Sequence, residues 1–204
     1  LGMSFVMEEA LAQLSSAQLL GADVGVCNGE YFAETLSFGL DAAIALGTYE
    51  RRRRTGREGT RLFVEEGANQ LVFHRDAYGF TAVVDGGAPT RGSMHLFAVQ
   101  VGPTYGGGFK VCPSASATDG ELDCCVAKAP LSMIKAAYLF ACAKDGKHVG
   151  HTGSFDFFGA KSLTLEFDQE PPAQIDGEPM HGTKFDIAVM PGALDVYFAK
   201  GAAH

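Results

Sequence analysis

The sequence reads YGGGFKVCPSASATDGELD over residues 105–123, and this stretch carries more information than any other part of the chain. Three consecutive glycines at its start allow backbone conformations that are closed to other residues. Asp119-Gly120 then predicts a turn with a free carboxylate, just before a strand that begins near Leu122. Carboxylates a few residues apart on a tight loop can hold a hard cation. The same stretch is also typical of a long hairpin connection without a ligand, so its residues alone leave both interpretations open.

The composition is that of a globular protein with an acidic surface. The chain has 204 residues, of which 47% are hydrophobic and 20% charged, and its formal net charge is −8. This charge argues against nucleic acid as a partner. The 26 glycines and 15 phenylalanines favour a β-rich fold with many tight turns. No apolar run approaches the roughly 20 residues of a membrane span, and the first residues lack a signal-peptide pattern, so we expect a cytoplasmic protein.

The cysteines and histidines show no metal or redox signature. The cysteines are odd in number and none belongs to a CxxC pair: Cys27, Cys112, Cys124, Cys125 and Cys142. The adjacent Cys124 and Cys125 should point to opposite faces of a strand, as small hydrophobic side chains in a reducing compartment. His148 and His151 lack an evident third ligand, so we expect both at the surface.

Strand signals dominate the chain and indicate packed sheets. The clearest hairpin joins residues 22–27 to residues 31–37 through Asn28-Gly29, a dipeptide typical of type I′ turns. In the second half, short strand-like stretches alternate with turns, and Pro191-Gly192 predicts the last turn. We therefore predict a mainly β protein, a β-sandwich with one or two accessory helices, without a linker that would divide residues 1–204.

Helical spacing occurs near the start of the chain and again after the central strands. Residues 6–15 have apolar residues at helical intervals, and residues 62–73 are long enough to favour a helix over a strand. Residues 131–143 are predicted to bury one stripe of a helix: Met133, Ala137 and Phe140.

A run of four arginines, Arg51–Arg54, is the strongest concentration of charge. Such a run usually forms a solvated helix face or a mobile loop. The alternative is a patch that attracts phosphate or anionic lipid. The residues themselves do not decide between the two.

A second candidate site lies at Asp176-Gly177-Glu178, between an apolar strand and Pro179. Two carboxylates that bracket a glycine can place one side chain on a metal and the other on a substrate hydroxyl, while the glycine N–H approaches a phosphate. Asp-Gly is also common in hairpin turns, so the motif alone leaves both interpretations open. The chain has no GxSxG elbow, no GxGxxG loop after a strand and no P-loop.

Four segments together form a recognisable pattern: NGEYF with SFGLDA in residues 28–42, YGGGFKVCP with DGELD in residues 105–123, DGEP at 176–179 and MPGAL at 190–194. Their order and spacing resemble the C-terminal domain of the diacylglycerol kinase and sphingosine kinase-like lipid kinases, in particular the bacterial diacylglycerol kinase branch. The second segment is the specific one. Leu40 stands where the family more commonly has phenylalanine.

The resemblance implies an ATP-dependent lipid kinase with Mg²⁺ as cofactor, which transfers the γ-phosphate to the hydroxyl of diacylglycerol or a similar lipid and so belongs to phospholipid biosynthesis. It makes Asp176 and Glu178 the catalytic candidates, either as the base toward the lipid hydroxyl or within the magnesium–water network, and places Gly177 near a phosphate. The mechanism would depend on positioning and charge stabilisation, as phosphoryl transfer generally does.

The resemblance also implies a structural metal. It makes Asp119 the ligand of a structural Mg²⁺, together with main-chain carbonyls near Ser116 and Glu121. The loop of residues 105–123 would then shape the domain, while the chemistry would belong to the DGE segment.

The family binds the nucleotide phosphates with a GGDGT-type loop of an N-terminal domain, and residues 1–204 contain no such loop. We therefore expect a C-terminal domain that receives ATP mainly through the missing domain and is inactive by itself. Its partners would be that domain and a lipid at the membrane surface, where it would associate peripherally, with a homodimer left open. Two alternatives remain: a stand-alone β-sandwich binding module, and a kinase for a soluble substrate such as a nicotinamide nucleotide.

Overall fold

Eleven antiparallel strands form one curled sheet in the computed structural model, which describes residues 4, 6–56, 60–73, 76–105 and 108–199. The strands in chain order are β1 (Gln18–Cys27), β2 (Glu30–Phe32), β3 (Thr35–Gly39), β4 (Tyr78–Val84), β5 (Thr90–Gln100), β6 (Leu122–Lys128), β7 (Phe155–Ala160), β8 (Ser162–Phe167), β9 (Ala173–Ile175), β10 (Glu178–Met180) and β11 (Lys184–Phe198). The predicted mainly β fold class is confirmed.

The sheet branches at β5. Its main path is β10-β9-β3-β5-β4-β8-β11-β1-β2, and β6 and β7 leave this path at β5. β4 pairs with residues 90–94 of β5, whereas β3 pairs with residues 96–100, and β6 pairs along residues 94–100. This branch allows β6 to face strands with which it does not pair. Side chains from β6, β8 and β11 accordingly share one core cluster, as in a sandwich.

Aromatic rings fill the centre of this main core. Ring centroids of neighbouring phenylalanines lie 4.7–6.5 Å apart, in tilted and edge-on arrangements, among Phe38, Phe80, Phe97, Phe167 and Phe185. Such pairs stabilise a core by about 0.5–1.5 kcal/mol each beyond the burial of their area. The high phenylalanine content of the sequence therefore belongs to the interior of the sandwich.

The described residues contain four α-helices, more than the one or two predicted: α1 (Met7–Leu14), α2 (Leu40–Thr55), α3 (Thr60–Phe73) and α4 (Met133–Ala143). A short 3₁₀ helix follows α4 at Lys147–Gly150. α2 and α4 cover one face of β5 and β6, where Ile44 and Leu139 join a second core cluster. α1 buries none of its residues. Within the described part of the chain, no helix has the length and apolarity needed to cross a membrane.

The Asn28-Gly29 hairpin between β1 and β2 is confirmed. Both residues have positive φ, 51° and 91°, as a type I′ turn requires. Residues 31–37, however, are not one strand, because β2 ends at Phe32 and β3 leaves to pair with β5 and β9. The backbone N–H groups of the connection at Ala33 and Glu34 donate to the Asp176 carboxylate.

Pro191 and Gly192 do not form a turn, and this prediction was wrong. They lie within β11, opposite a shift in the register of β1 between Ala22 and Val24. A bulge tolerates proline because its unpaired residue needs no ladder hydrogen bond. Gly192 has φ 58°, which supplies the local kink.

The buried stripe of α4 also differs from the prediction. Ala136 and Leu139 are buried, whereas Met133 is 50% exposed and Ala137 is exposed too. Phe140 is partly buried, and its ring lies 5.3 Å from that of Phe109. The helix is apolar on nearly all sides, so the spacing of apolar residues did not select one face.

The arginine run forms the last turn of α2. Arg51 Nε lies 3.2 Å from the Glu66 Oε2 of α3, and Arg52, Arg53 and Arg54 are exposed. Cationic side chains are favourable at a helix C-terminus, where the helix dipole is negative. This arrangement is a solvated helix face, and an affinity of the run for anions stays a prediction.

Candidate active site

The Asp176-Gly177-Glu178 segment is the turn between β9 and β10, at one edge of the sheet. Asp176 and Gly177 have φ values of 45° and 91°, the left-handed conformations of a type I′ turn. Glu178 is the first residue of β10 and is exposed. Register pairs Glu178 with Ile175, so a tight hairpin fixes the spacing of the two carboxylates.

The Asp176 carboxylate binds the backbone of the β2–β3 connection. Its Oδ2 accepts the N–H of Ala33 at 2.7 Å, and its Oδ1 accepts the N–H groups of Glu34 and Thr35 at 3.0 and 2.8 Å. Three donors occupy most of the lone pairs of one carboxylate. Burial, and then the Asp176 charge, raise the pKa of Glu34. Asp176 thus fixes two loops to each other.

Glu178 has the freer carboxylate of the two. Among the residues that the structure describes, none forms a hydrogen bond or an ion pair with its side chain. The N–H of Gly177 is already used, because it donates to Gln174 Oε1 at 2.7 Å. A phosphate at Gly177 would have to replace that bond, and the predicted contact stays a prediction.

A buried polar network leads from this turn into the domain. Gln174 is 1% exposed, and its Nε2 donates to Ser37 Oγ at 2.7 Å. Ser37, also buried, lies beside the carboxylate of Asp41. The Tyr105 hydroxyl donates to Asp41 Oδ1 from the other side. The network therefore connects β9, β3, the start of α2 and the first residue of the glycine-rich loop.

Asp41 is a buried acid that the sequence interpretation did not single out. Burial raises its pKa to about 6, and the Ser37 hydroxyl partly offsets this rise. Oδ2 is buried without a hydrogen-bond partner among the described residues. Its position in the first turn of α2 favours the negative charge. The available signal was an acidic residue directly after the apolar Phe38-Gly39-Leu40.

Gly39 places Asp41 by changing the chain from strand to helix. Its φ is 76°, and a Cβ at this position would collide with the carbonyl oxygen of His95. The Gly39 N–H donates to the Pro172 carbonyl at 2.8 Å. Only glycine fits both the conformation and the close backbone approach.

An apolar cavity of about 60 Å³ lies beside the network, beneath α4. Leu40, next to Asp41 in the chain, lines it, and the Asp41 charge acts on Cys125, another lining residue. The apolar side chains around it include Leu96, Ala127, Leu139, Phe140 and Phe155. The polar network therefore ends at an apolar space.

His148 is buried, contrary to the expected surface position. It is 1% exposed, and its Nε2 lies 2.9 Å from the Val111 carbonyl oxygen. Its ring packs edge-on at 5.1 Å from Phe155. The 3₁₀ helix after α4 turns the ring inward, whereas His151 lies half-buried beside Tyr138. The local sequence has no apolar spacing that would have revealed this burial.

The predicted metal-binding residues lie together in the loop before β6. Asp119 is exposed, and its Oδ1 accepts the N–H of Glu121 at 3.1 Å. The Ser116 hydroxyl lies 3.4 Å from that of Thr118. Glu121 is exposed. The loop thus presents two exposed carboxylates, those of Asp119 and Glu121.

Asp23 holds this loop in place, a role that the sequence interpretation missed. It is 3% exposed, and its carboxylate accepts the N–H groups of Gly120 at 2.7 Å and Gly192 at 2.8 Å. Its own N–H donates to the Ala117 carbonyl at 2.8 Å. An acid within the apolar strand β1 was the available signal. Asp23 joins the loop to the β11 bulge.

The donor set at this loop suits a hard cation. Burial, and then the charges of Asp119 and Glu121, raise the pKa of Asp123 to about 6, and a cation would relieve that repulsion. No three His, Cys, Asp or Glu side chains in the described ranges converge on a possible metal position. An ion would therefore rest on Asp119 with main-chain oxygens and water, as Mg²⁺ accepts. The structural Mg²⁺ stays a prediction.

Comparison with known proteins identifies the family. A family model described as "YegS C-terminal NAD kinase beta sandwich-like domain" matches residues 34–198. The chain belongs to this family. The resemblance to the C-terminal domain of bacterial lipid kinases is confirmed.

The curated relatives of this chain are longer than the chain itself. A Pseudomonas aeruginosa protein (strain UCBPP-PA14) named "probable lipid kinase YegS-like" is 25% identical over 180 residues, which are 88% of this chain and 57% of the relative. A Pseudomonas syringae pv. syringae protein of the same name is 26% identical over 196 residues, 96% of this chain and 61% of the relative. The chain thus spans 57–61% of the length of these relatives.

A solved structure shares the fold of this YegS-type domain. The crystal structure of a diacylglycerol kinase from Bacillus anthracis superposes with a TM-score of 0.67 and 19% identity, covering all of this chain (100%) and 62% of that chain. At this identity the likeness concerns the fold alone.

Proposed function

We propose that the chain is the substrate-side domain of a lipid kinase. Together with a nucleotide-binding domain, it would transfer the γ-phosphate of ATP to the hydroxyl of diacylglycerol or a similar lipid. One observation carries this proposal: the buried network that runs from the Glu178 turn through Gln174 and Ser37 to Asp41, beside an apolar cavity. The network thereby connects a proton acceptor to the apolar space that an acyl chain would need.

The proposal gives different roles to the two catalytic candidates, and their hydrogen bonds support it. Glu178 is the base, because its exposed carboxylate is free to accept a proton from a hydroxyl. Asp176 is a positioning residue, because its carboxylate is bound to three backbone N–H groups. When bound, ATP supplies the phosphoryl group and Mg²⁺ neutralises its charge. The protein contributes orientation and the placement of the acceptor.

The cavity supports a lipid acceptor over a nicotinamide nucleotide. A nucleotide needs polar and cationic groups, whereas the side chains around the cavity are largely apolar. Its volume of about 60 Å³ is below the roughly 300–1,000 Å³ of a typical small-molecule site, so an acyl chain can enter only if α4 moves away from the sheet. α4 is a suitable moving part, since it buries only Ala136 and Leu139.

The test is ATP turnover by the full-length protein that contains this chain, with a short-chain diacylglycerol and with NAD as alternative acceptors. We expect turnover with the diacylglycerol only, and a loss of about 10²-fold or more in kcat for Glu178→Gln. Glu166→Gln is the matched control, an exposed strand glutamate that should retain full activity.

Two outcomes would contradict the proposal: full activity of Glu178→Gln, or a preference for the soluble nucleotide. Residues 1–204 alone should give no turnover. Activity of these residues by themselves would show that no second domain is needed.

A further inference from the structure

Two buried cysteines from distant parts of the chain meet in the second core cluster. Cys112 belongs to the loop before β6 and is 2% exposed, and Cys125 belongs to β6 and is fully buried. Both side chains belong to the same core cluster, and each thiol affects the pKa of the other. The backbone N–H of Cys112 donates to Gln100 Oε1 at 3.2 Å, and its Sγ lies 3.6 Å from the Asp123 carbonyl oxygen. The pair is therefore held in place by its surroundings.

A histidine completes this cluster. The Nε2 of His148 lies 2.9 Å from the carbonyl oxygen of Val111, and because a carbonyl oxygen only accepts, Nε2 is the donor. Nδ1 is buried without a hydrogen-bond partner in good geometry among the described residues. The ring lies close enough to Cys125 to act on its thiol. A thiol beside a histidine base is the arrangement of an activated cysteine.

Cys125 differs from the other buried cysteines in its acidity. Contact with Cys112, and then with His148, lowers its pKa to about 7 although burial opposes the change. Burial raises the pKa of Cys124 well above its ordinary value, and raises that of Cys27 to about 12. Cys124 and Cys125 are neighbours on opposite faces of β6, as expected from the sequence, and only the second faces His148. A thiolate is the reactive form of cysteine.

The cavity beneath α4 borders this thiol. Cys125 and His148 both line it, and its volume of about 60 Å³ admits a few water-sized molecules. Hydrogen peroxide is of that size, whereas larger thiol reagents are not. An oxidant small enough to enter the cavity would therefore be the kind that meets this buried thiol.

We propose that Cys125 and Cys112 are a peroxide-sensitive pair that closes into a disulfide. The Cys125 thiolate attacks one peroxide oxygen, so that an S–O bond forms, the O–O bond breaks and hydroxide leaves. The Cys112 sulfur then attacks Cys125, the S–S bond forms and the S–O bond breaks. The thiol proton leaves with the departing oxygen as water. Peroxide is reduced, and the two thiols lose one electron each.

The disulfide would tie the loop before β6 to the strand itself. That loop carries Asp119, and its Val111 carbonyl contacts His148. Oxidation would therefore fix the loop beside the cavity. This inference does not depend on the kinase proposal, since it rests on the thiols, the histidine and the cavity alone.

Peptide mapping after peroxide treatment tests the proposal. The protein is oxidised, unfolded with N-ethylmaleimide present, and cut without reduction by trypsin and by a protease that cleaves after glutamate. Cleavage after Lys110, Glu121 and Lys128 separates residues 111–121 from residues 122–128. We expect the two peptides joined with the loss of two hydrogen atoms, and separated again by dithiothreitol.

Matched variants identify the sulfur within residues 122–128. Cys124→Ser should retain the cross-link and Cys125→Ser should lose it. Cys112→Ser should leave a sulfenic acid on Cys125, which dimedone traps when it is present as the oxidised protein is unfolded. His148→Gln should slow the cross-link about tenfold at pH 7. The proposal is overturned if no cross-link forms, if Cys124 forms it, or if it persists in Cys125→Ser. Dimedone trapping remains informative where a variant packs poorly, because the adduct identifies the individual cysteine that was oxidised.

Discussion

At the scale of single residues, the domain places its acids in very different surroundings. Asp176 and Asp23 are bound by backbone N–H groups. Among the described residues, Glu178 has no side-chain partner and Asp41 is buried with one oxygen unpartnered. A carboxylate therefore cannot be assigned a role from its motif. The number of donors around it decides whether it holds the backbone, accepts a proton or stores unfavourable charge.

Asp41 should make the stability of the domain depend on pH. Its pKa is about 6 when folded and near the ordinary 3.8 when unfolded, so its contribution is fully present below pH 3.8 and is lost as pH rises to about 6. The loss corresponds to about 3 kcal/mol. The free energy of unfolding of the wild type, minus that of Asp41→Asn, should fall by about this amount between pH 4 and pH 7.

Urea denaturation at both pH values measures this difference, and the other titrating groups cancel because both proteins contain them. A difference that does not change with pH would mean that Asp41 titrates like an exposed acid. A difference that rises with pH would mean that its charge is stabilised rather than penalised.

At the scale of elements, the junction of β3 and α2 depends on one glycine. Gly39→Ala must move the His95 carbonyl or abandon φ 76°, so we expect a loss of about 2–4 kcal/mol in the free energy of unfolding. Gly102→Ala is the control, because a Cβ there meets open space. Equal denaturation midpoints for the two variants would contradict this expectation, because they would mean that the junction accepts a Cβ at residue 39 without a loss of stability.

The loop before β6 should respond to Mg²⁺ through Asp119. At a Mg²⁺ concentration ten times its Kd, binding stabilises the folded state by about 1.4 kcal/mol, which a thermal melt detects. Asp119→Asn should remove this increase, while Asp195→Asn, an exposed acid on β11, should keep it. A melting temperature that Mg²⁺ leaves unchanged in the wild type would contradict the predicted site.

Local sequence predicted elements better than it predicted their faces. The Asn28-Gly29 turn requires positive φ at both residues, and few dipeptides accept that, so the hairpin was readable. The bulge at Pro191-Gly192 could not be predicted, because it forms opposite Asp23, which lies in a strand more than 160 residues away in the sequence. The stripe of α4 was misjudged because the helix is apolar on both sides. The burial of His148 was missed because the residue lies in a short 3₁₀ turn, whose sequence has no repeating apolar pattern.

In the candidate site, too, local features could be predicted from the sequence and features that depend on distant contacts could not. The motifs marked Asp119, Asp176 and Glu178, because short acidic turns are visible in a sequence. They did not mark Gln174 or Ser37, whose importance comes only from pairing between β3 and β9. Polar residues inside buried strands are the signal that would have found them, since such residues need partners.

At the scale of the whole molecule, the sheet is held together through one strand. β5 pairs with three others, so β4, β3 and β6 all depend on it. Two strand layers and the helical cover share β5, which explains how one connected, branched sheet can form a sandwich. Loss of β5 would divide the sheet into three separate groups of strands: β10-β9-β3, β4-β8-β11-β1-β2 and β6-β7.

Amide hydrogen exchange should rank the parts of the domain accordingly. Residues 96–100 of β5 have a strand on both sides, so their amides can exchange with deuterium only when the entire sandwich opens. Amides of α1, which buries no residue, should exchange in the first seconds. The ratio of these two rates would report the equilibrium constant of global unfolding. Exchange at β5 can therefore measure how often the whole domain unfolds.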